Sequence, residues 1–131
     1  MPVAETTKAA LLSLCADFAA AWDDKRDLWA NDNGSFTVHG VFAVFSDYIA
    51  DRLTRGSDPE LRRVFEYVES KLTEDDSEVN NAATTCFLEN LMNRVPETIP
   101  PRHLIPLLGP KSRRFCRGWD EWCGMKTEGL W

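Results

Sequence analysis

Four runs of apolar residues, each recurring at steps of three and four, set the strongest limit on what this chain can fold into. Leu11, Leu14, Cys15, Phe18 and Trp22 make the first, and Val38, Val41, Phe42, Phe45, Tyr48, Ile49 and Leu53 the second. Leu61, Val64, Phe65, Val68 and Leu72 make the third, and Val79, Ala82, Ala83, Cys86, Phe87 and Leu91 the fourth. At 3.6 residues per turn each set falls on one side of a helix, whereas a half-buried strand alternates every second residue. The chain is therefore expected to be all-α, and its 131 residues suit a single domain with one core.

The residues between the runs place the boundaries. The first helix is expected over about residues 5–29; the charged stretch Asp23-Asp24-Lys25-Arg26-Asp27 interrupts its stripe, Leu28 and Trp29 renew it, and Asn31-Asp32-Asn33-Gly34-Ser35 reads as a turn. The second spans about residues 36–55. Its opening Phe36-Thr37-Val38 contains strand-forming residues, but the periodic run far exceeds the usual strand of about five or six residues. Gly56 suits a helix end, and Ser57-Asp58-Pro59-Glu60 reads as a cap, a first-turn proline and an acid near the positive end of the helix dipole. A capping run over residues 73–78 precedes the fourth helix, about residues 77–94, where Ala82 and Ala83 let a neighbour approach closely.

Pro96, Pro100, Pro101 and Pro106 confine the following segment to an extended connector and a short helix, about residues 102–108, because an interior proline removes a backbone donor. The last helix, about residues 111–123, begins with Lys111, Arg113, Arg114 and Arg117 and carries Phe115, Trp119 and Trp122 at steps of four and three. That spacing favours core for the two tryptophans, with an interface as the alternative. Gly124 ends the helix and leaves residues 124–131 as a loosely packed tail. Short links make successive helices antiparallel neighbours, which gives an up-and-down array of four long helices closed by one or two short C-terminal ones. A HEAT-like stack is a variant, since Asp58-Pro59-Glu60-Leu61 and Asp76-Ser77-Glu78-Val79 open two helices alike.

Several classes of chemistry lack their residues. His39 and His103 stand far apart in the sequence without paired ligands, and there is no Gly-rich phosphate loop, Gly-x-Ser-x-Gly elbow or dinucleotide fingerprint. No catalysis, metal or cofactor is expected. Cys15, Cys86, Cys116 and Cys123 are widely spaced on helical stripes and read as buried free thiols, too inert there for Cys-His catalysis. The apolar runs are too short for a membrane span and the start lacks the pattern of a secretory signal, so a soluble, cytoplasmic protein is expected.

Charge points to a protein partner. Residues 1–60 carry five Lys or Arg against ten Asp or Glu, residues 61–100 four against eight, and residues 101–131 six against three. The acidic body disfavours nucleic acid and anionic membrane and suits a basic protein. In an up-and-down array the first and third links share one end, so Asp23, Asp24, Asp27 and Asp32 are expected to face Glu74, Asp75, Asp76 and Glu78 as a partner-binding cluster. The alternative is helix capping at Asp75, Asp76 and Glu78 with a solvated corner, which the fit of the caps favours.

A family likeness rests on Asp58-Pro59-Glu60-Leu61, Phe65-Glu66-Tyr67-Val68-Glu69, Val79-Asn80-Asn81-Ala82-Ala83, Phe87-Leu88-Glu89-Asn90-Leu91, Leu108-Gly109-Pro110-Lys111-Ser112 and Trp119-Asp120-Glu121-Trp122. Over roughly residues 36–124 the chain resembles small all-helical bacterial proteins of the kind predicted to be immunity proteins of polymorphic toxin systems. The matching positions are core and cap residues, so the resemblance transfers no binding residue. It implies an antidote that occludes the active or substrate-binding surface of a cognate toxin, itself basic in keeping with the acidic body. A HEAT-like adaptor in a regulatory assembly is the alternative.

Overall fold

The computed structural model describes residues 3–73 and 77–131, and among these the secondary structure is helical throughout, with no strand. The helices are α1 (Val3–Leu14), α2 (Phe18–Lys25), α3 (Val38–Arg55), α4 (Pro59–Lys71), α5 (Glu78–Ala82), α6 (Glu89–Met92), α7 (Pro101–Leu104) and α8 (Pro110–Cys123). A π-helical segment, Ala83–Leu88, joins α5 to α6. Short 3-10 turns follow α2 (Arg26–Leu28) and α7 (Ile105–Leu107).

α3 is the axis of the molecule. It is buried on most of its circumference, from Val38, Val41 and Phe42 to Ile49 and Leu53, and it packs against α1, α2, α5, α6 and α7. α2 runs antiparallel to it, with Phe18 edge-on to Phe45 at 4.9 Å, while Trp22 lies farther along beside Phe36. α5 and α6 run in the same direction as α3: His39 meets Cys86, Ser46 meets Asn90, and Asp47 meets Arg94. α4 packs instead on α1, α8 and the 3-10 turn after α7. Phe42, Phe45, Phe65 and Phe87 form the aromatic centre of the core.

Local chemistry sets the helix starts. Thr37 caps α3 by accepting from the Gly40 amide, Asp58 caps α4 through the Leu61 amide with Pro59 in the first turn, and Ser77 caps α5 through the Asn80 amide. Three features depart from the sequence expectation. The first helix breaks after Leu14: the Phe18 amide bonds only to the Cys15 carbonyl and the Ala19 amide to that of Ala16, and the chain turns back on itself. The turn lets α1 reach both α3 and α4 while α2 covers α3. The fourth helix swells into its π segment where the Thr84 and Thr85 hydroxyls bond the carbonyls of Asn80 and Asn81, a local competition with the regular ladder.

The third departure is α8, whose fully buried stripe is Ser112, Cys116 and Asp120, while Phe115 and Trp119 pack against the core from its side and Trp122 does not. Phe115 and Trp119 are partly buried, and Trp122 is 79% exposed. The polar stripe turns inward because its side chains have partners there. Glu69 of α4 accepts hydrogen bonds from the amides of Lys111 and Ser112 and from the Ser112 hydroxyl. Asp120 accepts from the Thr127 amide at 2.7 Å, the Thr127 hydroxyl at 2.9 Å and Trp131 Nε1 at 3.0 Å. Residues 124–131 therefore lie along α8, with Leu130 buried in the core and Arg113 and Arg117 bonding the carbonyls of Gly129 and Leu130. Gly124, at φ 70°, supplies the left-handed residue that turns the chain back.

Candidate functional site

Asp23 and Asp24 sit in the last turn of α2, Asp27 in the 3-10 turn and Asp32 in the loop after it, and all four are exposed. Among the described residues none of them takes part in an ion pair. Lys25 and Arg26 lie in the same stretch, so the edge keeps a net negative charge of two from four carboxylates and two cations. Glu78 is exposed in the first turn of α5 behind the Ser77 cap. Glu74, Asp75 and Asp76 lie outside the described residues, and so does their expected meeting with the first group.

Two residues that sequence reasoning assigned to the first helical stripe belong to this edge instead. Leu28 is 76% exposed and Trp29 44% exposed. The 3-10 turn rotates them off the face that carries Phe18 and Trp22 into the core. Trp29 is rooted against α3, where a side-chain carbon added at Gly40 would come within 3.0 Å of its Cβ. The loop behind it is tied by its own polar groups: the Asn31 amide bonds Ser35 O at 2.7 Å, Asn31 Nδ2 bonds Ser35 Oγ at 2.9 Å, and the Ser35 hydroxyl and amide both reach Asn33 Oδ1. A large apolar pair is thus held on an ordered turn within an acidic rim. The charged interruption of the stripe at Asp23 to Asp27 was the signal that could have revealed it.

The thiols divide by environment. Burial pushes the Cys15 thiol up to about 12, reinforced by the Glu60 carboxylate and opposed by Arg52, and burial likewise pushes Cys116 up to about 12. Cys86 is half-buried, 3.4 Å from His39 Nδ1, a pairing across the α3–π segment contact that sequence distance concealed. Cys123 is exposed, contrary to the expectation of a buried thiol, because it lies in the final turn of α8 beyond the core. Arg52 ties α3 to the start of α4 through Asp58 at 2.6 Å and Glu60. Burial disfavours its charge, but those two carboxylates outweigh the penalty and raise its pKa. Among the described residues no group of three or more His, Cys, Asp or Glu is placed to hold a metal ion. No helix among them is long and apolar enough to cross a membrane.

Residues 9–122 match the family described as domain of unknown function DUF7674. The chain belongs to that family. The DUF7674 match takes in Asp23, Asp24, Asp27 and Asp32 and α8 up to Trp122, leaving the returning tail outside it. No curated protein and no solved structure matches the chain.

Proposed function

We propose that this chain acts by binding a protein, as a cytoplasmic immunity protein that neutralises a cognate bacterial toxin without catalysing a reaction. The observation that carries the reading is the exposed Leu28 and Trp29 pair inside the rim of Asp23, Asp24, Asp27 and Asp32. A preordered aromatic anchor supplies the desolvated centre that interfaces concentrate their energy in, and unpaired carboxylates around it steer a basic partner into place. Removal of toxin activity needs only that such a surface lie across the toxin's active or substrate-binding face. An adaptor role is the second reading, favoured by the exposed Trp122 stacked on Trp119 on α8.

Co-expression with the toxin encoded beside its gene is the direct test. The chain should protect susceptible cells and co-purify with the toxin as a one-to-one complex. Replacing Asp23, Asp24, Asp27 and Asp32 by asparagine should leave the melting temperature within a few degrees of the wild type. The same variant should slow association and flatten its salt dependence, and Trp29→Ala should weaken affinity by about tenfold or more. Killing that continues at equal expression rejects the immunity role, and unchanged affinity in both variants rejects this edge.

A further inference from the structure

Among the described residues, one face of α8 is exposed. Lys111, Arg114, Gly118 and Trp122 follow one another at steps of three and four, opposite the buried Ser112, Cys116 and Asp120, with the partly buried Phe115 bordering them. Trp122 stacks on Trp119 with ring centroids 5.4 Å apart and planes inclined by 18°, so the ring most exposed to solvent is already held in one orientation. Toward the start of the helix a depression of about 270 Å³ is bordered by Leu72, Asn80, Thr84, Lys111, Arg114 and Phe115. Between the two lies Gly118, in mid-helix. A side-chain carbon added there would meet nothing within 4 Å, so no contact among the described residues explains a residue that weakens an exposed helix.

We propose that this face is a docking surface for an amphipathic helix of net negative charge on a partner protein. Gly118 leaves a notch in the ridge between Arg114 and Trp122, and a missing side chain at a crossing point lets two helix axes approach more closely than usual. The Trp119–Trp122 stack offers a rigid apolar platform that loses little freedom on binding. Charge selects the occupant. The two exposed cations of this face are Lys111 and Arg114: Arg114 forms no ion pair among the described residues, and Lys111 lies beside a Glu69 carboxylate already occupied by three donors. The inference does not depend on the acidic edge, which sits on α2 and the loop after it and suits a partner of opposite charge.

The test is a display library of three-heptad amphipathic helices with a fixed leucine stripe and a randomised polar face. It is sorted for binding to the full chain and counter-sorted against Trp122→Ala. Enriched helices are expected to carry net negative charge and to bind both Trp122→Ala and Gly118→Gln about tenfold or more weakly. Gly118→Gln should melt at the same temperature as the wild type or higher, which separates loss of docking from loss of fold. Enrichment of basic or neutral helices, no enrichment at all, or full affinity of Gly118→Gln overturns the proposal. So does concentration-dependent dimerisation in sedimentation that Trp122→Ala abolishes, since a second copy would then be the occupant.

Discussion

Replacing Glu69 by glutamine perturbs the contact that fastens α8 to α4 at one carboxylate. Its oxygens accept from the Lys111 amide at 2.8 Å, the Ser112 amide at 2.9 Å and the Ser112 hydroxyl at 2.8 Å, which serves as a cap supplied from another helix. The glutamine oxygen can keep the Ser112 donors, but its NH2 group then faces the Lys111 amide, and all charge assistance is lost. One bond lost and two weakened to neutral strength cost about 2 kcal/mol at this partly exposed site, or about 6–10 °C in a chain of this size. Burial alone would raise the Glu69 pKa, yet the two amides, the hydroxyl and the Lys111 charge outweigh it and hold the group below its ordinary 4.5. A carboxylate depressed in this way contributes stability that is fully present above the unfolded value and is lost as pH falls through the folded one. Urea unfolding should therefore show a constant gap between wild type and variant from pH 7 to about pH 5.5, closing below about pH 4. A side-chain carbon at Gly109 would lie 2.6 Å from the Glu69 carboxylate, so Gly109→Ala should cost less in a Glu69→Ala background than alone. A gap under about 0.5 kcal/mol at pH 7, or one that does not narrow as pH falls below about 4, would refute the capping argument.

Asp120→Ala should release the returning tail, costing about 2–3 kcal/mol as three donors lose their acceptor and Leu130 its cover, and hydrogen exchange should lose protection at the Leu130 amide, which bonds Thr127 O. Unchanged exchange there would mean that Leu130 anchors the tail unaided. In the native chain at pH 8 a thiol reagent should label Cys123 in a fast phase that Cys123→Ser removes, while Cys15 and Cys116 react only on unfolding because both stay protonated and buried. Rapid labelling of Cys116 would contradict the packing of α8.

The helix starts at Thr37, Asp58 and Ser77 were legible because a cap is a contact between residues three apart, and such chemistry is written locally. The core faces of α3 and α4 were legible because their apolar residues have no competing use. The break at Cys15 to Asp17 was not, since neither Ala16 nor Asp17 opposes a helix; the packing of Cys15 and Phe18 on α3 and α4 decides it. α8 shows the same limit more sharply. Two stripes share its period, one greasy and one polar, and hydrophobicity alone selects Phe115, Trp119 and Trp122. The inward choice of Ser112 and Asp120 depends on Glu69, which is 43 residues from Ser112, and on a tail that returns along the helix. The candidate site was half visible for a related reason. Aspartates at a helix end announce themselves, whereas the exposure of Leu28 and Trp29 follows from a single 3-10 turn that no composition reveals.

Single exposed apolar side chains are ordinary on protein surfaces and require no account. Two of the exposed sites differ in their charge: Leu28 and Trp29 lie among carboxylates, and Trp122 lies on a helix that opens with lysine and arginine. Burying either tryptophan further would gain roughly 1–2 kcal/mol, and leaving it out gains nothing within the isolated chain. Both rings are nevertheless held in place, Trp29 by its root against α3 and Trp122 by its stack on Trp119. A side chain that is ordered yet exposed has already lost the freedom that binding would otherwise cost it, which is the condition an interface anchor must meet. The proposed partners accordingly differ in charge, basic at the rim of aspartates around Trp29 and acidic at the start of the helix that carries Trp122.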